Sequence, residues 1–92
     1  MLKSDLIEKV AKEMNMNNDI AQLVIDNVFD AMTEALSRGE SIEIRGFGSF
    51  SVRSYAPREG RNPKTGAKVA VPSRKKPFFK VGKELKNRVN SL

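Results

Sequence analysis

The stretch that decides the fold is Arg58-Glu59-Gly60-Arg61-Asn62-Pro63-Lys64-Thr65-Gly66-Ala67-Lys68. Asn62 and Pro63 suit the first two positions of a tight turn, the proline ring pre-setting φ, and Gly66 can take the positive φ that closes a short hairpin loop. A loop centred between Lys64 and Thr65 makes residues whose numbers add to 129 face each other, give or take a one-residue bulge, and Pro57 then lies opposite Pro72. Facing prolines remove ladder donors at one level of the ribbon, which predicts a bend or soft joint there. From Ala56 to Lys68 there is no Val, Ile, Leu, Met, Phe, Tyr or Trp. Such a hairpin cannot bury a face against a core, and an isolated two-stranded ribbon is marginal in water. The expectation is a protruding, mobile β-arm over about residues 53–72, ordered when something fills its inner surface. Arg58, Arg61, Lys64 and Lys68 make that something polyanionic.

Outward from the arm, charge is segregated. The chain of 92 residues has a net charge of +6, but residues 1–52 hold five Lys/Arg against nine Asp/Glu, and residues 53–92 hold twelve against two. The two parts therefore carry −4 and +10. A basic field this concentrated is the footprint of a nucleic-acid partner. At this length a single domain over 1–92 buries a small share of its surface, so stability is marginal unless a partner contributes. There is no cysteine, hence no disulfide or thiolate metal site. The longest apolar runs are too short for a bilayer, and Met1-Leu2-Lys3-Ser4 leads into a helical pattern rather than a signal-peptide core. A cytoplasmic location is the expectation.

Leu6, Ile7, Val10, Ala11 and Met14 recur at helical spacing behind Ser4, a candidate N-cap. After the polar break Asn15 to Asn18, a second helix capped by Asn18 or Asp19 should run to about Arg38 and stop at Gly39. Between Ile20 and Leu36 its apolar positions cover most of the circumference, too broad for one core-facing stripe. Its second cover is most simply another copy of the chain in a two-fold arrangement. Ile42 and Ile44, then Phe50 and Val52, alternate with polar residues on either side of a Gly46-Phe47-Gly48 turn. Because a strand pattern follows this Gly-x-Gly, and not a helix N-terminus, it is no nucleotide loop. Pro77-Phe78-Phe79 supplies a third strand, and Gly82 opens a short helix with Leu85, Val89 and Leu92 on one face. The fold class is α+β: a helical base, a three-stranded antiparallel sheet and a β-ribbon arm.

Enzymatic chemistry has little to work with. The sequence has neither His nor Cys, so the usual general base and thiol nucleophile are missing, and no Walker-type loop is present. Asp26, Asp30 and Glu34 on one helix read as an acidic exposed face rather than metal ligands. No cofactor is implied. Membrane-surface binding fits poorly, since the basic residues lie on a ribbon and a short helix without a large amphipathic face. Duplex DNA fits: arm cations neutralise phosphates and release counterions, which gives salt-sensitive affinity with little sequence information. The eleven residues from Arg53 to Pro63 span about 35 Å at ~3.3 Å each, enough to reach around a duplex. Pro63 at the tip has two readings from sequence, a wedge between base pairs or simply a turn-former.

The segments Gly46-Phe47-Gly48-Ser49-Phe50, Gly60-Arg61-Asn62-Pro63-Lys64-Thr65-Gly66 and Phe79-Lys80-Val81-Gly82-Lys83 resemble the bacterial HU/IHF family of DNA-bending proteins over essentially the whole chain. The resemblance implies an intertwined dimer whose two arms each carry an intercalating proline, here Pro63, and which organises the nucleoid or assists recombination, replication and transcription. Carried over by motif, Arg58, Arg61, Asn62, Pro63 and Lys64 match the arm residues that enter the minor groove. Arg53, Lys68, Arg74, Lys75 and Lys76 match the backbone-contacting ribbon, while Lys3, Lys80, Lys83 and Lys86 would lie on the body facing flanking DNA. Ile42-Glu43-Ile44-Arg45-Gly46-Phe47-Gly48 and Ala56-Pro57-Arg58 look more like the beta subunit of integration host factor than like HU. That resemblance makes Glu43 and Arg45 candidates for sequence reading, Arg45 by sensing minor-groove shape. Ser41 departs from the pattern, standing where a base-proximal Arg is expected, and Val81 replaces a common Pro. Two partners are compatible with this pattern, a second copy in a homodimer or an alpha-type paralogue in a heterodimer.

Overall fold

The computed structural model describes residues 1–91, apart from the side chains of Arg58 and Val71. Leu92, expected on the same helix face as Leu85 and Val89, lies outside the described residues. The chain divides into two compact units, Met1–Ala35 and Leu36–Leu92. The elements in order are α1 (Lys3–Glu13), α2 (Asn18–Ser37), β1 (Ile42–Ile44), β2 (Gly48–Tyr55), β3 (Arg58–Arg61), β4 (Lys68–Val71), β5 (Arg74–Val81) and α3 (Lys83–Val89).

In the first unit the helix starts are set by side chains other than those expected. The Leu2 N–H donates to Asp5 Oδ2 at 2.7 Å, so a carboxylate reaching back from the first turn fixes the start of α1, with Ser4 already inside the helix. The cap of α2 is Asn17, whose Oδ1 accepts the Ile20 N–H at 2.8 Å, one residue before the expected Asn18. The reason in both cases is reach, since the oxygen that lies three residues from an orphan amide wins. Asn15 at φ 53° lets the chain leave α1, and the Met16 N–H closes back on the Ala11 carbonyl at 3.0 Å. The helix α2 ends at Ser37, and Gly39, at φ 81°, turns the chain after it.

Ala11, Ala21 and Ile25 are the buried apolar residues among those described. Ile20, Val24 and Val28, spaced by four on α2, stay exposed together with Leu23 and Phe29, Leu23 at 60%. The breadth of the apolar surface read from the sequence is therefore real, and one copy of the chain leaves it in water.

In the second unit β1, β2 and β5 form an antiparallel sheet in the order β1-β2-β5, and β3 pairs with β4 as a separate two-stranded sheet. The ladder of β2 with β5 runs from Gly48 opposite Val81 to Tyr55 opposite Arg74. The ladder of β3 with β4 runs from Arg58 opposite Val71 to Arg61 opposite Lys68. Both keep the numbering sum of 129, so the register expected from the turn holds along the whole ribbon with no bulge. The break between the two sheets falls where Ala56 and Pro57 face Pro72 and Ser73, the level at which facing prolines leave donors missing. Two strand boundaries differ from expectation. The third strand begins at Arg74 and not at Pro77, because the ladder opposite β2 continues through the charged residues, and Gly48 belongs to β2 rather than to the turn.

At Gly48 the partner strand β5 leaves no room for a side chain. A Cβ placed there would lie 2.5 Å from the Lys80 carbonyl oxygen and 2.7 Å from the Phe79 ring. Gly48→Ala must push β5 or the ring aside, and overpacking of this kind costs about 1–3 kcal/mol. Chemical denaturation should show that loss without a change in the far-ultraviolet spectrum of the folded protein.

Candidate nucleic-acid interface

Strand alternation makes the main sheet two-faced. Residues paired across β2 and β5 share a face, so Ser49, Ser51, Arg53 and Tyr55 lie beside Lys80, Phe78, Lys76 and Arg74. The opposite face carries Phe50, Val52 and Ser54 beside Phe79, Pro77 and Lys75. On that apolar side the Phe79 ring packs against Phe50 at 4.8 Å and Phe47 at 5.5 Å between centroids, tilted as aromatic pairs prefer. Of the cations expected on the ribbon, the sheet brings Arg53, Arg74 and Lys76 to one face and puts Lys75 on the other; Lys80, expected on the body, shares the face of the first three.

Two aromatic rings interrupt the cationic face. The Arg53 guanidinium carbon lies 3.4 Å from the Phe78 ring centroid, and the Lys76 ammonium lies 5.8 Å from the centroid of Tyr55. Neither ring was singled out as functional from the sequence. The signal was available, since the same register sets Phe78 diagonally next to Arg53 and Tyr55 diagonally next to Lys76.

Arg45 follows β1 in the turn whose Phe47 N–H donates to the Ile44 carbonyl at 3.0 Å. With Glu43, Ser49, Lys80 and Gly82 it lines a shallow concavity that runs across all three strands near one end of the sheet. The Gly82 N–H donates to the Phe47 carbonyl at 2.9 Å, which ties the start of α3, and with it exposed Lys83, to the same turn. Lys86 lies a turn further along α3 and is exposed beside half-buried Leu85, its ammonium carrying no ion pair among the described residues. Lys3, placed with the body cations by motif, pairs with the Asp26 carboxylate inside the first unit. An exposed pair like this holds the ammonium weakly, so Lys3 is not barred from another anion.

The two-stranded sheet of β3 and β4 carries its charges in an uncomfortable order. Arg61 stands directly opposite Lys68, a like-charge pair that weakens an antiparallel ladder. The Glu59 carboxylate lies 3.8 Å from the Lys68 ammonium and offsets part of it. The backbone of Arg58 opens β3, and its side chain is outside the description.

At the tip, backbone bonds lock the loop. The Asn62 N–H donates to the Ala67 carbonyl at 2.8 Å, and the Gly66 N–H, at φ 72°, returns to the Asn62 carbonyl at 2.7 Å. Asn62 Oδ1 accepts the Lys64 N–H at 2.9 Å, and Thr65 Oγ1 accepts the Ala67 N–H at 3.3 Å. Asn62 thus has a structural duty in the turn, with its amide NH2 left over. Pro63 is exposed at the apex, a ring with no donor of its own, with Arg61 and Lys64 on either side. Among the described residues no cluster of His, Cys, Asp or Glu is arranged to hold a metal ion.

Comparison with known proteins agrees with this geometry. The family model described as bacterial DNA-binding protein matches residues 1–90. Integration host factor subunit beta of Methylococcus capsulatus is 53% identical, covering 100% of this chain and 98% of that protein. The corresponding subunit of Saccharophagus degradans is 50% identical over 98% of this chain and 93% of its own length. Among solved structures, Anabaena HU in its cocrystal with DNA superposes with a TM-score of 0.88 at 35% identity over the full length of both chains. HU from Thermotoga maritima gives 0.67 at 32% identity over 97% of this chain and 98% of its own. The charge-segregated sheet, the locked proline tip and these matches lead to one assignment: the chain belongs to the bacterial DNA-binding protein family, the group of HU and integration host factor.

Proposed function

We propose that this protein is an architectural component of the nucleoid that bends and compacts duplex DNA, with the β3–β4 ribbon in the minor groove and Pro63 inserted between base pairs. The observation that carries this reading is the tip. A rigid apolar ring stands at the apex of a loop held by four hydrogen bonds, near cations that phosphates would draw into the groove. HU and integration host factor are themselves the standing examples of this mode of binding, in which unstacking costs roughly a few kcal/mol and is offset by contacts to the bent flanks. Arg58, Arg61, Asn62, Lys64 and Lys68 act in the groove and along its backbone. Arg53, Arg74, Lys75, Lys76 and Lys80, with Lys3, Lys83 and Lys86, meet flanking phosphates. Bound DNA also answers the Arg61–Lys68 repulsion, since a phosphate between two cations is what that pair lacks. Neither the side chains nor the family is that of an enzyme, and the work is done in the cytoplasm on chromosomal DNA during recombination, replication and transcription.

The working unit is a dimer. Covering the exposed apolar residues of α2, each already about half buried, contributes about 1 kcal/mol per side chain, a gain that a small chain with so few buried side chains needs. A sequence-specific heterodimer with an alpha-type subunit is the second reading, favoured by the 50–53% identity to integration host factor subunit beta over essentially the whole chain and by Glu43 and Arg45 sharing the concavity at the end of the sheet. A homodimer with general affinity is the first.

Light scattering across a concentration series should find a dimer of the purified chain, and a stable folded monomer would contradict the two-fold arrangement. Val24→Asp should shift the protein to unfolded monomer, because a carboxylate would then have to be buried. Binding to random duplex should fall about a thousandfold between 50 and 200 mM salt if some six phosphates are neutralised. Fluorescence transfer between duplex ends should report a strong bend with wild type and a much weaker one with Pro63→Ala, affinity changing far less than the bend. An unchanged bend in that variant removes the wedge. Equal affinity for unrelated duplexes favours the homodimeric, general binder; a marked preference that appears only with an alpha-type partner favours the heterodimer.

A further inference from the structure

We propose that Phe78 is a positioning residue for DNA binding: its ring holds the Arg53 guanidinium flat and pre-oriented, so that Arg53 presents its N–H edge to a backbone phosphate at the root of the ribbon. The proposal rests on the DNA-binding reading above and adds the side chain that makes one of its cations effective. At 3.4 Å from the ring centroid, the Arg53 guanidinium carbon is at stacking contact, well inside the limit of about 6 Å for a cation over a ring.

The register explains why this pair forms. Arg53 stands directly opposite Lys76, and an extended Arg there would face a like charge. Phe78 is two residues further along β5 on the same face, within reach of a long side chain. Lying on the ring draws the guanidinium along the strand, away from the Lys76 position and toward Ser51, the partner of Phe78. Phe78 itself remains 36% exposed, so the stack sits at the surface and not in a core.

A stacked guanidinium keeps its N–H donors in the plane of the stack, pointing outward from the ring edge, the arrangement that meets phosphate oxygens in bidentate fashion. Among the described residues no carboxylate pairs with Arg53 to compete for those donors. A side chain already held loses less rotamer freedom when the phosphate arrives. Lys76 over Tyr55, at 5.8 Å, has no such hold, and a Lys ammonium has no planar fork to orient. Phe78 therefore acts through Arg53 and not through its own contact with DNA.

A double-mutant cycle on the full chain, binding a random-sequence duplex, tests this. Phe78→Leu should weaken binding about two- to tenfold while Arg53 is present, the range expected when one long side chain has to be immobilised on binding. It should change nothing further in an Arg53→Ala background, and Phe78→Tyr should bind as wild type does. Arg53→Ala should also lower the slope of log affinity against log salt by about 0.9, one phosphate contact. In the free protein, the Arg53 Nε–H proton should be shifted upfield by the ring in wild type and Phe78→Tyr, and return to its ordinary position in Phe78→Leu. Should Phe78→Leu fail to fold, Phe78→Met enters the same cycle. Undiminished binding by Phe78→Leu, an equal loss in the Arg53→Ala background, or an unshifted Nε–H overturns the proposal. Additivity in a wild type that binds DNA overturns this inference alone, whereas a wild type without duplex affinity at low salt overturns the DNA-binding reading as well.

Discussion

The antiparallel pairing of β2 with β5 is the constraint on which the rest of the second unit depends. Because successive side chains alternate between faces, one register is enough to send Phe50 and Phe79 to one side and Arg53, Arg74, Lys76 and Lys80 to the other. A slip of one strand by one residue would bring apolar rings such as Phe50 or Phe79 to the cationic face and cations to the apolar one. Gly48 fixes the near end of this ladder, since only a residue without a side chain lets the Lys80 carbonyl and the Phe79 ring come so close. The far end is fixed by the loop at Pro63, whose bonds are local. Both ends agree on one register, and the ladder between them has no freedom to choose another.

That agreement survives an interruption. At the level of Pro57 and Pro72 the hydrogen-bonded ladder stops, two residues on each strand pass without pairing, and it resumes in the same register. Equal numbers of residues on both strands preserve the alternation, while the missing donors remove stiffness at that level. Beyond the joint the ribbon has few apolar side chains, with Val69 left exposed, and no comfortable charge pattern, with Arg61 against Lys68. Its order in isolation comes from a few backbone bonds, and an anion along its length would supply what it lacks. Protein and ligand complete each other electrostatically rather than by shape alone.

The first unit poses the complementary problem, too much apolar surface instead of too little. The buried set of Ala11, Ala21 and Ile25 cannot by itself support a folded chain, while the exposed residues of α2 would stabilise whatever assembly covered them. One part of the molecule therefore asks for a protein partner and the other for a polyanion. The net charges of −4 before residue 53 and +10 from there on keep the two requirements apart.

The sequence alone determined the register of the ribbon, its proline joint, the two-faced sheet and the unpartnered helix. Each follows from local rules: turn residues set φ, alternation sets faces, and periodicity sets stripes. Caps were legible only to within a residue or so, as Asp5 and Asn17 show, because several oxygens near a helix start compete and reach decides among them. What the tertiary structure decided was which cations stand together. Lys75 and Lys76 are adjacent in sequence and lie on opposite faces, Lys3 is tied to Asp26, and Arg53 lies down on Phe78 instead of standing against Lys76. Charge is countable in a sequence, but the field a partner meets depends on side-chain direction and on which neighbours share each charge, and those are properties of atoms brought together from distant positions in the chain.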